Sequence, residues 1–227
     1  MRLNTKPNIK GVIFDLDGVI VDSAQFHYEA WKTLAREWNY DLKMSDNEAL
    51  KGVSRKDSVL KIAIWAGVKP TAQELESIAT RKNILYLELC AKLTPHDILP
   101  GIENLINELK NNNIKVALGS ASKNARFVIE KLGLHNTFDV VVDGNDVIHS
   151  KPDPEVFLIA AQHMNIHAQN CCVIEDAPAG IQAAIKAQML AIGLGKTAEL
   201  LQAHLILPNA TNLTLSKIEQ LYQQILT

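Results

Sequence analysis

Asp15 and Asp17 stand two residues apart at the end of a short apolar run, Gly11-Val-Ile-Phe, and Gly18 then turns the chain away. Side chains two apart along a strand lean toward one region, and carboxylates held that close repel unless a cation or a shared proton intervenes. Asp and Gly are also ordinary turn residues, so the pair alone leaves a solvated turn open. Three later segments supply partners. Gly119-Ser120-Ala121-Ser122-Lys123-Asn124 places small and hydroxyl residues at a helix start, where amides and hydroxyls suit phosphate oxygens. Taken alone, Ser122 reads first as a plain helix cap. Ser150-Lys151-Pro152-Asp153-Pro154 holds a lysine between prolines, and the Lys151–Pro152 bond is a candidate for the cis form, which would aim the lysine inward. Glu175 and Asp176 add two acids before Ala177-Pro178-Ala179-Gly180, which reads as a turn.

Those segments matter together only if one scaffold gathers them. Val12, Ile13 and Phe14 read as a buried strand, too short for a helix. From Gly101 onward helix and strand alternate: helix 102–110, strand 114–118, helix 124–132, strand 138–142, helix 154–164, strand 171–174, helix 180–187, strands 190–192 and 204–207, and a helix after Thr214. This rhythm predicts an α/β fold, a Rossmann-like parallel sheet with helices on both faces. Residues 24–93 read as wholly helical. Phe26, Ala30, Trp31, Leu34, Ala35 and Trp38 recur at helical spacing, Gly67 reads as a helix stop, and Thr71 with Glu74 forms a capping box for a helix to about Leu93. The expected division is a core of residues 1–23 and 94–227 and an inserted helical cap of residues 24–93.

In an open α/β sheet, ligands bind outside the carboxyl ends of the strands. That rule brings Asp15, Asp17, Glu175, Asp176 and Lys151 to one edge. So many acids in one crevice call for a divalent cation, and an oxygen-only donor set favours Mg²⁺ over zinc. Mg²⁺ beside a phosphate-binding helix start points to phosphoryl transfer. The cation and Lys151 would neutralise the phosphate, Asp15 would attack it, and Asp17 would serve as acid and base.

Composition excludes other classes. With 227 residues, 47% of them hydrophobic, the chain can bury a large core, and its net charge of −2 argues against a nucleic-acid or membrane-surface partner. No apolar run is long enough to span a bilayer, and residues 1–8 do not read as a secretory signal. Cys90, Cys171 and Cys172 lack metal-ligand spacing and read as reduced core residues, with Cys171 and Cys172 on opposite faces of a strand. A cytoplasmic monomer acting on small molecules is expected.

Asp15-Leu-Asp17-Gly, Ser120, Lys151 and Glu175-Asp176 resemble, in order, the four motifs of the haloacid dehalogenase superfamily of phosphotransferases. The resemblance implies that Asp15 becomes an aspartyl-phosphate. It implies Mg²⁺ at Asp15, the Asp17 carbonyl and Asp176, with Glu175 at or near the metal. An acid at position 17 disfavours the dehalogenase and ion-pump branches. Asp22-Ser-Ala-Gln-Phe-His27, Lys51-Gly-Val-Ser-Arg55, Arg81-Lys-Asn83 and Ser120-Ala-Ser-Lys-Asn124 narrow the resemblance to the β-phosphoglucomutase subfamily. That subfamily implies that Gly52, Val53, Arg55, Ser122, Lys123 and Asn124 hold the sugar and its non-reacting phosphate. Ser120, Ala121 and Lys151 would hold the transferring one. His27, Trp31, Lys51 and Lys82 would line the cap side, Asp22 and Ser23 would form a hinge, and glucose 1,6-bisphosphate would serve as intermediate and activator.

Alternatives remain at this point. Arg55 also reads as a surface arginine and Trp31 as core packing. A sugar-phosphate phosphatase on the same scaffold, acting on a hexose or deoxyhexose 6-phosphate, is the nearest rival. Lys51 is a formal Schiff-base candidate, but nothing around it is apolar enough to depress its pKa. A non-catalytic phospho-accepting switch would have no use for the helical insert or for Asp17.

Overall fold

The computed structural model describes residues 8–50, 53–196 and 198–225. Six strands form one sheet: β1 (Gly11–Phe14), β2 (Lys115–Gly119), β3 (Val140–Val142), β4 (Cys171–Glu175), β5 (Leu190–Leu194) and β6 (Leu205–Leu207). Their order is β3-β2-β1-β4-β5-β6, and every pairing is parallel. The order reverses at β1, which pairs with β2 on one side and β4 on the other, so a crevice opens at the carboxyl end of β1. Phe14 is level with Leu118 and Ile174, which fixes Asp15 between the ends of the two neighbouring strands.

Alternation along the strands splits the core. Val12, Phe14, Leu118, Cys172 and Ile192 face α5 (Ile102–Asn111), α6 (Ala125–Lys131) and α9 (Leu215–Ile225). Ile13, Ala117, Cys171 and Val173 face α7 (Glu155–His163) and α8 (Pro178–Lys186). Cys171 and Cys172 thus lie on opposite faces as expected, and all three cysteines are free and buried.

Between β1 and α5 stand α1 (Ala24–Ala35), α2 (Met44–Glu48), α3 (Arg55–Trp65) and α4 (Ala72–Cys90). They enclose their own cluster of Trp31, Leu34, Leu42, Val59, Ile62 and Ile78. The Thr71 hydroxyl accepts from Glu74 N at 3.3 Å and the Glu74 carboxylate accepts from Thr71 N at 2.7 Å, so the capping box is formed. Gly67 follows α3 at φ +68°, a conformation that glycine adopts without a Cβ penalty. At the far end of α4, Tyr86 and Cys90 sink into the sheet's core. No described helix is long and apolar enough to cross a membrane.

Several boundaries differ from the sequence reading. The third strand begins at Val140 because Asp139 Oδ2 accepts from Val116 N at 2.8 Å, a side chain standing in for a ladder bond. Pro178 to Gly180 is the first turn of α8 rather than a loop, since proline lacks only an amide that a helix start leaves unpaired. Helix α4 stops at Cys90, Trp38 lies in a 3₁₀ turn after α1, and α2 is an added short helix.

Candidate active site

Asp15 follows β1 with its amide bonded to Ile174 O at 2.9 Å, and its side chain is 9% exposed. Lys151 Nζ donates to Asp15 Oδ1 at 2.6 Å, to Glu175 Oε1 at 2.8 Å and to Gly119 O at 3.2 Å. It stands 4.7 Å from the centre of the Phe157 ring, and the Lys151–Pro152 bond is cis. Burial alone would lower the Lys151 pKa. The charges and hydrogen bonds of Asp15 and Glu175 outweigh it and hold the ammonium above the usual lysine value. Glu175 is pushed up by burial and by Asp15, opposed by Lys151 and by Ala177 N, which donates to Oε2 at 2.6 Å.

Asp15, Glu175 and Asp176 bring carboxylate oxygens within 4.8 Å of one another. An oxygen-only donor set with net negative charge suits a hard cation such as Mg²⁺. Two glycines make room for these carboxylates. A Cβ on Gly18, at φ +82°, would lie 2.1 Å from Asp176 Oδ2, and one on Gly180 would lie 1.7 Å from Glu175 Oε1.

Asp17 stands at the cleft's edge with 31% of its side chain exposed. Its Oδ1 accepts from the Ser23 hydroxyl. Burial of its carboxyl and the Asp15 charge raise its pKa to about 6, against the pull of Ser23, Lys82 and Lys151. His27 on α1 places Nε2 3.9 Å from Asp17 Oδ1 and Nδ1 2.7 Å from Lys82 Nζ. Burial, then Lys82 and Arg55, hold His27 well below its ordinary value, so the imidazole is neutral. Lys82 on α4 lies over the rings of Trp31 and Tyr86, and burial and Arg55 lower it to about 7 although Asp17 pulls the other way.

These groups open into a cleft of about 500 Å³. Asp15, Asp17, Lys151, Glu175 and Asp176 line its sheet side. His27, Trp31, Val53, Arg55 and Lys82 line it from the helical insert, and Ala121, Ser122, Lys123 and Asn124 from the loop after β2. Trp31 is also 3% exposed in the insert's own core, so it packs there and lines the cleft at once. Burial lowers Arg55, which starts α3. Ser120 is the exception. It is buried, outside the cleft lining, and its Oγ accepts from Ser122 N at 3.1 Å. Ser122 caps no helix itself; its Oγ accepts from Asn124 N at 3.2 Å. The readings of Lys51 and Gly52 fall outside the described residues.

The sequence reading missed Asn47, Ser58, Glu76, Thr80 and Ile148, which also line the cleft. No motif marks them, because their positions follow from how the helices of the insert, and for Ile148 the loop before Lys151, lie around the cleft. Glu155 was missed as well. Its carboxylate accepts from Ile148 N at 3.1 Å and His149 N at 2.7 Å, which pins the loop leading to Lys151.

Known proteins bear on this arrangement. A family model described as haloacid dehalogenase-like hydrolase matches residues 9–188. The chain is 41% identical over 218 residues to the β-phosphoglucomutase of Bacillus subtilis (strain 168), covering 95% of this chain and 96% of that protein. It is 31% identical over 185 residues to the fructose-1-phosphate phosphatase of Escherichia coli (strain K12), covering 80% of this chain and 94% of that protein. The crystal structure of β-phosphoglucomutase from Clostridium difficile aligns with a TM-score of 0.92 at 41% identity, over 96% of this chain and 99% of that one.

Proposed function

The chain belongs to the haloacid dehalogenase-like hydrolase family, and on that footing we propose that it is an enzyme with β-phosphoglucomutase activity. It interconverts β-D-glucose 1-phosphate and D-glucose 6-phosphate through an aspartyl-phosphate on Asp15 and a glucose 1,6-bisphosphate intermediate. The observation that carries the reading is a cleft with two cationic stations. Lys151 sits beside Asp15 on the sheet side, while Arg55 and Lys123 come from the insert and the loop after β2. A bisphosphate that must bind in either orientation needs both stations; a monophosphate needs one.

In this mechanism Lys151 keeps Asp15 aligned and offsets the charge of the incoming phosphoryl group. An Asp15 oxygen forms a bond to phosphorus as the bond from phosphorus to the sugar oxygen breaks. Asp17, protonated, gives its proton to that leaving oxygen, and as carboxylate it later takes one from the attacking sugar hydroxyl. A pKa of about 6 suits a group that must act both ways near neutrality. Asp15, Glu175, Asp176 and the Asp17 carbonyl would hold Mg²⁺, which supplies further neutralisation of the phosphoryl oxygens when bound. Ser120 and Ala121 are assigned to the transferring phosphate, and Val53, Arg55, Ser122, Lys123 and Asn124 to the sugar and its second phosphate. Lys51 and Gly52 keep their roles in the same assignment.

Residues 24–93 are assigned as a cap that closes over the core of residues 1–23 and 94–227, excluding water from the aspartyl-phosphate. The separate hydrophobic cluster of the insert supports that division. A monomer is proposed because one chain supplies every group named above, and a cytoplasmic location because three buried free thiols suit a reducing compartment.

The test supplies Mg²⁺, β-glucose 1-phosphate and a trace of glucose 1,6-bisphosphate, following glucose 6-phosphate and free phosphate together. Rapid isomerisation with little phosphate release, abolished by EDTA and restored by Mg²⁺, is the expected result. Phosphate release without isomerisation would make water the acceptor and the protein a sugar-phosphate phosphatase.

A further inference from the structure

Asn124 is the N-cap residue of α6, yet its side chain makes no capping hydrogen bond. Asparagine ranks among the best N-caps because its side-chain oxygen accepts from the first helical amides. Here the side chain is diverted. Nδ2 of Asn124 donates to Oδ1 of Asn83 at 2.7 Å, across 41 positions of sequence. Asn83 belongs to α4, directly after Lys82, and α4 is anchored one and two turns later by Tyr86 and Cys90 in the sheet's core. Both asparagines are half-buried; Asn124 lines the cleft, while Asn83 is outside its lining.

A carboxamide can present either an acceptor edge or a donor edge to whatever faces it. A phosphate oxygen offers only lone pairs, so a carbonyl turned toward it repels and an N–H attracts. The Asn83 oxygen takes one of the two Nδ2 protons of Asn124, which restrains that amide and leaves it a second N–H for another partner. We propose that Asn83 is a positioning residue that holds Asn124 with its N–H edge toward the cleft, so that Asn124 donates to the non-reacting phosphate of the sugar. The role rests on the reading that Asn124 grips that phosphate. The lost helix cap is what the arrangement gives up, and a donor oriented before substrate arrives is what it gains.

A double-mutant cycle tests this with β-glucose 1-phosphate and glucose 1,6-bisphosphate. Asn83→Ala and Asn124→Ala are each expected to raise KM by about tenfold, the scale of one hydrogen bond to a charged group, with kcat changed by less than about twofold. The double variant should be no worse than Asn124→Ala alone. Asn83→Ser, too short to reach the amide, should repeat the Asn83→Ala result and serves if alanine impairs folding in a thermal melt. Wild-type KM in both position-83 variants, multiplicative losses in the double variant, or a loss confined to kcat would each overturn the proposal. An unchanged KM in Asn124→Ala would overturn it together with the assigned grip. Wild-type enzyme that releases phosphate without isomerising would instead overturn the mutase reading, and the cycle would then be read with the sugar phosphate it hydrolyses.

Discussion

Nζ of Lys82 lies 2.7 Å from Nδ1 of His27; while Lys82 is protonated it can only donate, and in that form Nδ1 accepts and the imidazole proton sits on Nε2. That nitrogen faces Asp17 Oδ1 at 3.9 Å. A lysine from α4, a neutral ring from α1 and the carboxyl after β1 thus follow one another from the insert to the sheet edge. Movement of α4 relative to the sheet would change the proton affinity of Asp17 without any new group entering the cleft.

Lys82 should leave a pH signature. Its folded value of about 7 lies below the 10.5 of a free lysine, through burial first and Arg55 second. Between those values the unfolded chain binds the extra proton, so this group's contribution to stability rises with pH across the window. Below pH 7 the burial cost is present in full. Lys82→Met should therefore gain stability relative to the wild type near pH 6, and the gain should shrink steadily toward pH 9. Urea unfolding at a series of pH values checks it, and a pH-independent difference would mean that Lys82 titrates normally.

Removing the central cation should be costly in two ways. The side chains of Lys151, Asp15 and Glu175 are 2%, 9% and 1% exposed, so Lys151→Met would leave two buried carboxyls facing each other. A loss of about 3 kcal/mol in urea unfolding is expected, with at least a 100-fold drop in turnover, roughly the effect of one preorganised charge. Lys151→Arg should not rescue activity, because a planar guanidinium does not fit the slot against Phe157. Wild-type stability in Lys151→Met would mean that the carboxylates are neutralised in another way.

Arg55 separates the two phosphate stations by experiment. Arg55→Ala should cut isomerisation by roughly 100-fold, as expected for a charged bidentate contact, and cost far less in hydrolysis of p-nitrophenyl phosphate, which has no second phosphate. Initial rates on the two substrates decide it. Equal losses would make Arg55 a structural residue of α3.

The sequence was most legible where chemistry and local structure coincide. Asp15, Lys151, Glu175 and Asp176 each end or follow a strand or sit beside a proline, and the rule that ligands gather at strand ends was enough to bring them together. Asn47, Glu76, Thr80 and Ile148 were not legible, because nothing local marks which face of a helix or loop will overlook a cleft. Ser120 shows a different limit. Its place in a motif suggested a contact with substrate, but the burial of its side chain, with Oγ accepting from Ser122 N, is something no motif announces. Boundaries failed where a side chain replaced the backbone, as Asp139 does beside Val116.

Gly180 sets local propensity against the site. It lies in the first turn of α8, where alanine would favour the helix by up to about 1 kcal/mol. A Cβ there would meet Glu175 Oε1 at 1.7 Å and Cδ at 2.0 Å, far inside any real contact. Glu175 cannot retreat easily, since its two oxygens are held by Lys151 and by Ala177 N. Gly180→Ala should therefore displace the carboxylate from Lys151, lowering turnover by roughly 10- to 100-fold and stability by about 1–3 kcal/mol, the range for overpacking a filled site. The coupled assay and urea unfolding measure the two effects. Full activity in Gly180→Ala would mean that the pairing of Glu175 with Lys151 is not required for turnover.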